Sequence, residues 1–77
     1  MGMPFSRLSV HWLMGRRVRL QEDLGSLPEG TEGVVNGYMP YRAGYMVEVQ
    51  WIGVRRGDPF GFELFTADEY SKYLYEC

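Results

Sequence analysis

The chain has 77 residues, 45% of them hydrophobic and 16% aromatic, and eight Lys/Arg against ten Asp/Glu give a net charge of −2. That length holds one domain, since domains usually run to about 100–150 residues. The composition excludes a disordered tail. It also excludes a disulfide scaffold, because Cys77 is the only cysteine. No run approaches the ~18 apolar residues of a membrane span, and the mildly acidic balance argues against general binding of phosphate backbones. A domain this small buries only about 60% of its unfolded surface. Bulky side chains must therefore do much of the burying, and most of the two Trp, six Tyr and four Phe are read as core or self-association surface.

In chain order, residues 1–14 are expected to form an N-terminal arm or an extra strand. Leu8, Val10 and Trp12 alternate, although Phe5, Leu8 and Trp12 also fit helical spacing. Arg7 is the only charge ahead of the apolar part and no small-residue cleavage site follows, so a secretory leader is not expected. Gly15–Leu20 predicts a strand with Val18 and Leu20 inward and Arg17 and Arg19 outward. Residues 21–32 read as a turn-rich loop carrying Glu22, Asp23, Glu29 and Glu32, with Leu24 and Leu27 anchoring it to the core. Gly33–Tyr38 is a second strand, where Gly33 and Gly37 mark a bend or a close backbone approach. Residues 39–44 are a loop. Tyr45–Trp51 is the strongest strand, with Tyr45, Val47, Val49 and Trp51 on one face.

Residues 53–59 read as a turn, and Phe60–Phe65 as a fourth strand with Phe60, Phe62 and Leu64 on one face. Thr66-Ala67-Asp68-Glu69 then matches a capping box, with Phe65 and Tyr70 at the hydrophobic-staple positions. Asp68 and Glu69 fall where a helix dipole favours negative charge. This predicts a helix over 67–75, with Tyr70, Tyr73 and Leu74 sharing a face. The expected core is Val18, Leu20, Val34, Val47, Val49, Phe62 and Leu64.

Short strands, bends and one terminal helix imply a mainly β fold: a small, strongly bent antiparallel sheet closed into a barrel, since closure removes exposed edges. Residues 15–77 make up this unit. Three runs carry a resemblance: Gly15-x-x-Val18-x-Leu20, Gly30-Thr31-x-Gly33-Val34-Val35 and Gly44-Tyr45-x-Val47-x-Val49. Together they resemble the core of SH3-like small barrels, in the form found in small uncharacterised bacterial domains. The resemblance covers about half the chain, Gly15–Trp51, and records turns and packing rather than chemistry.

Four relatives of that fold share parts of this pattern. Glu22 and Asp23 resemble the acidic loop of SH3 domains proper, but the aromatic strand and the Trp pair of the peptide groove are absent. Gly33-Val34-Val35 is similar to the signature of KOW modules, which are usually basic. The small barrels of photosystem and ferredoxin-reductase accessory subunits share only the first two runs. Gly15–Arg19 and Gly44–Glu48 resemble the plasmid-type dihydrofolate reductase, whose cofactor-binding Val-Gln-Ile-Tyr strand has no counterpart in Phe60–Phe65.

No catalytic, cofactor or metal residues are assigned. His11 is the only histidine and Cys77 the last residue, so together they fall short of a zinc site. Gly53–Gly57 lacks the Lys-Ser/Thr of a phosphate loop. The first expectation is therefore a non-enzymatic, cytoplasmic protein-interaction module that binds a protein partner or itself. Its surface would comprise Met39, Tyr41, Arg42, Tyr73 and Tyr75, residue types enriched at interfaces. The alternative is a KOW-type nucleic-acid-binding barrel whose basic patch would be Arg16, Arg17, Arg19, Arg55 and Arg56. The plainer reading of those arginines is a solvated face paired with the acidic residues. A reductase-like enzyme stands third.

Overall fold

The computed structural model describes residues 4–53 and 61–77. Helix α1 (Arg7–Leu13) comes first, followed by β1 (Arg17–Leu20), β2 (Glu32–Tyr41), β3 (Gly44–Trp51), β4 (Phe62–Phe65), α2 (Ala67–Tyr73) and β5 (Leu74–Glu76). The strands form one antiparallel sheet in the order β4-β3-β2-β1-β5.

The expected closure into a barrel is corrected by this order. β4 and β5 are the two edges, and no pairing joins them among the described residues. They have only four and three residues, and the chain between them is taken up by α2, which packs on both. The helix thus covers the side of the core that a barrel would close with a strand-to-strand ladder. α1 packs against β3.

The core is Val10 and Leu13 from α1, Val18 and Leu20 from β1, Val35 from β2, Val47, Val49 and Trp51 from β3, and Phe65, Tyr70 and Leu74 from the C-terminal part. Val18, Leu20, Val47 and Val49 are where the alternation placed them. Val34, Phe62 and Leu64 are not. In β2 the inward row is Gly33 and Val35, opposite Trp51 and Val49, and Val34 pairs with Gln50 on the outer face. In β4, Phe65 lies opposite Val47 and is buried, whereas Phe62 lies opposite Gln50 and is 46% exposed. A period of two marks two faces but not which one is inside.

Two glycines are required by close approach. A Cβ on Gly33 would stand 2.5 Å from Val49 Cγ1 and 2.9 Å from the Trp51 ring, so the large indole occupies space that only glycine leaves. A Cβ on Gly44 would stand 2.5 Å from the Phe5 carbonyl oxygen, so Gly44 lets the N-terminal segment lie against the sheet. One residue of irregularity between Val35 and Gly37 bends β2.

The N-terminal segment departs from the expected arm or strand. Phe5 alone bridges to Tyr45, with N–H to O distances of 3.2 and 3.0 Å, and then the chain turns into α1. Ser6 caps that helix by accepting from the Ser9 N–H at 3.1 Å. The predicted loop over 39–44 is also shorter: β2 runs to Tyr41, which faces Gly44 across an Arg42-Ala43 turn. Arg42 takes a φ of +55° there.

At the other end, the capping box forms as the sequence predicts. The Thr66 hydroxyl accepts from the Glu69 N–H at 3.3 Å, and the Glu69 carboxylate accepts from the Thr66 N–H at 3.0 Å. The helix stops at Tyr73 rather than continuing to residue 75. Leu74–Glu76 become β5 because β1 offers them a ladder, with Arg19 opposite Tyr75 and Leu20 opposite Leu74. Gln21, just past β1, donates to the carbonyls of Leu74 at 2.9 Å and Ser71 at 3.2 Å. It thereby partners carbonyls that the end of the helix leaves free. Leu24 and Leu27 pair with each other and pack on the core, which anchors the acidic loop. The expected strand start at Phe60 lies outside the described residues.

Candidate functional site

α1 buries Val10 and Leu13, which lie three residues apart on one face. Leu8 and Trp12, four apart, therefore share the opposite face, and they are 75% and 72% exposed. Beside them runs a groove of ≈ 450 Å³ between the helices, walled by Phe5, Leu8, Trp12 and Leu13 on one side and by Tyr70 and Ser71 of α2 on the other. Isolated exposed apolar residues need no explanation, but two large ones flanking an apolar groove make this the candidate surface.

The surroundings hold this surface in place. Arg16 donates from Nε to the Trp12 carbonyl at 3.0 Å, and its guanidinium lies 5.9 Å from the centre of the Trp12 ring. The same guanidinium reaches Glu76 Oε2 at 3.6 Å. Glu76 also accepts from the Tyr70 hydroxyl at 3.4 Å. One carboxylate thus links the Trp12 side of the groove to the Tyr70 side. Burial, and then the charge of Glu76, push the Tyr70 hydroxyl up to about 12. Across the groove, the Phe5 ring meets Tyr70 edge-on at 5.6 Å, and Tyr45 meets Tyr38 edge-on at 5.5 Å. Tyr38 in turn lies 6.5 Å from His11.

The surface expected from sequence lies elsewhere, in two separate places. Met39, Tyr41 and Arg42 sit at the tip of the β2–β3 hairpin. Met39 is exposed there, while Arg42 is turned onto its neighbour, donating to the Tyr41 hydroxyl at 3.0 Å with its guanidinium over the Tyr41 ring. Tyr73 ends α2 and is half-buried against the core under Lys72, whereas Tyr75 is exposed on β5. Among the described residues no ring contact or side-chain hydrogen bond joins the hairpin tip to Tyr73 or Tyr75.

Arg16, Arg17 and Arg19 of the candidate basic patch each meet a carboxylate. Arg17 and Arg19 lie on the outer face of β1 and share Glu32, at 3.6 and 2.7 Å, and Arg16 pairs with Glu76. The hydrogen bond to Glu32, followed by that to Tyr75, raises the Arg19 pKa above its ordinary value. Arg55 and Arg56 lie outside the described residues. Among the described residues, no group of three or more His, Cys, Asp or Glu is placed to hold a metal ion. No helix among them is long and apolar enough to cross a membrane.

No protein-family model, curated protein or solved structure matches the chain. The groove itself was missed in the sequence because the strand-like alternation of Leu8, Val10 and Trp12 outweighed a local helix signal. That signal is Ser6 as N-cap between Phe5 and Val10, which occupy the positions of a hydrophobic staple. With the helix recognised, burying Val10 and Leu13 leaves Leu8 and Trp12 outside.

Proposed function

We propose that the chain is a non-enzymatic protein-interaction module that works through the groove between α1 and α2. The observation that carries this reading is the pair Leu8 and Trp12, large, apolar and exposed on one helix face beside an apolar groove. Trp is the residue type most often dominant in binding energy, and Arg16 and Glu76 hold this one in a defined place before any partner arrives. The groove is too open for a small ligand. Its two most prominent walls are about three-quarters exposed, whereas small-molecule sites enclose roughly 70–90% of their ligand. The pairing of Arg16, Arg17 and Arg19 with carboxylates favours this reading over nucleic-acid binding. A cytoplasmic setting belongs to the same reading, since the lone Cys77 offers no disulfide framework.

The test compares immobilised parent chain with Trp12→Ala in extract of the source cell. The expected result is a protein retained in stoichiometric amount by the parent, with retention reduced roughly tenfold or more by the substitution. Equal retention by both, or none by either together with no self-association, would overturn the proposal.

A further inference from the structure

Both helices contribute side chains to the core, so they lie on one face of the sheet, and no helix among the described residues covers the other face. A solvated outer face normally reads polar along each strand. This one does not. Val34, Met46, Phe62, Leu64 and Tyr75 point outward from β2, β3, β4 and β5, and Phe62 and Tyr75 are 46% and 45% exposed. Register puts Phe62, Gln50, Val34 and Arg17 in one row across four strands, with Leu64 and Glu48 in the next row. We propose that this face is covered by the same face of a second copy, the two sheets stacking as a sandwich about a two-fold axis that runs along β2.

Charge selects both the occupant and the axis. On the outer face, Arg17 and Arg19 of β1 share the single carboxylate of Glu32, so that side carries an excess positive charge. Glu48 stands on β3, on the far side of β2, and brings the negative charge. Half a turn about β2 lays β1 of each copy over β3 of the other, and β5 over β4. Arg17 of each copy then faces Glu48 of the other, Tyr75 faces the Phe62 and Leu64 strand, and Val34 packs near the axis. Half a turn about an axis across the strands would stack each strand on itself and set arginine over arginine. Glu48 is one row, about 7 Å, from the row of Arg17. Two side chains of that length bridge this offset across sheets about 10 Å apart. Area bounds the strength. Five strands about 4.8 Å apart and the eight residues of β3 outline a face of about 19 by 27 Å, or about 500 Å². A standard interface covers about 600–1,000 Å² on each partner, so the pairing is weak, in the range of tens to hundreds of micromolar.

A charge swap tests the arrangement. Molar mass by sedimentation is measured from roughly 1 to 500 μM chain. Reductant is present so that the exposed Cys77 cannot cross-link copies. The parent is expected to shift from monomer to dimer over that range. Glu48→Arg sets like charges opposite each other in both halves of the pair, and Arg17→Glu does the same, so each alone should weaken dimerisation roughly tenfold or more. Mixed in equal amounts, the two variants should pair about as tightly as the parent, because both contacts of the mixed pair again join unlike charges. Glu48 and Arg17 lie outside the core, and far-UV circular dichroism confirms that each variant folds. A parent that stays monomeric throughout, a Glu48→Arg chain that dimerises as well as the parent, or a mixture that pairs no better than its components overturns the inference. Neither substitution touches Leu8 or Trp12, so this outcome and the Trp12→Ala test of the groove are read separately.

Discussion

Helix α1 opens Phe5-Ser6 and helix α2 opens Phe65-Thr66, and each then runs for seven residues. Both start with a hydroxyl side chain accepting from the N–H three residues on. Both ends are also served by a side chain from β1 or its flanks, Arg16 donating to Trp12 O and Gln21 to Ser71 O. They differ in what they show to solvent. α2 buries Tyr70 and exposes Asp68, Glu69, Ser71 and Lys72, so its outer face is satisfied by water. α1 buries Val10 and Leu13 and exposes Leu8 and Trp12, so its outer face is not. Equivalent local chemistry therefore yields one helix finished by the fold and one that keeps Leu8 and Trp12 exposed.

Tyr70→Ala removes the buried ring of α2 and its edge contact with Phe5, and is expected to cost about 3 kcal/mol in urea unfolding. Val10→Ala should cost about 2 kcal/mol. A loss below about 0.5 kcal/mol at Val10 would mean that α1 is not docked. The caps should separate the helices by a smaller step. Thr66→Ala loses one arm of a two-way box and is expected to cost about 1 kcal/mol, while Ser6→Ala, whose partner position is Ser9 rather than Glu, should cost about half that.

Trp12→Ser and Leu8→Ser should change the stability of the dilute monomer by less than about 0.5 kcal/mol, since both side chains already face water. A large loss there would place them in the core and remove the contrast between the helices.

The last effect is one of pH. The Tyr70 pKa is raised from 10.0 to about 12 in the fold, chiefly by burial. The folded state holds that proton more tightly than the unfolded chain, so the contribution is complete below pH 10 and is lost as pH rises through about 12. Compared with Tyr70→Phe, the parent should lose extra stability over that window in alkaline unfolding. Parallel curves would mean that the hydroxyl is not protected beside Glu76.

How far these features could be read in advance follows from the range of the forces involved. The capping box of α2 lies within four consecutive residues, and its bonds form as the sequence predicts. The inward alternation of Val47, Val49 and Trp51 is equally local to one strand. Gly33 is readable as a close approach, but only the fold supplies Trp51 as the group that approaches it. The same limit applies to β4. Phe62, Leu64 and Phe65 are all apolar, and pairing with Val47 through Gln50 decides that Phe65 turns inward. Whether the sheet closes is also settled at a distance, by α2 filling the chain between two short edges.

From its residues alone this chain carries the helix start at Thr66, the alternating face of β3 and the β1 strand with its outward arginines. Tertiary structure decided that residues 7–13 coil into a helix, that the sheet stays open and that Leu8 and Trp12 remain in water beside a groove. The physical reason is that caps and alternation act between near neighbours. Burial is decided by competition among all apolar faces for one small core, and the face of α1 that loses, with Leu8 and Trp12, stays in water.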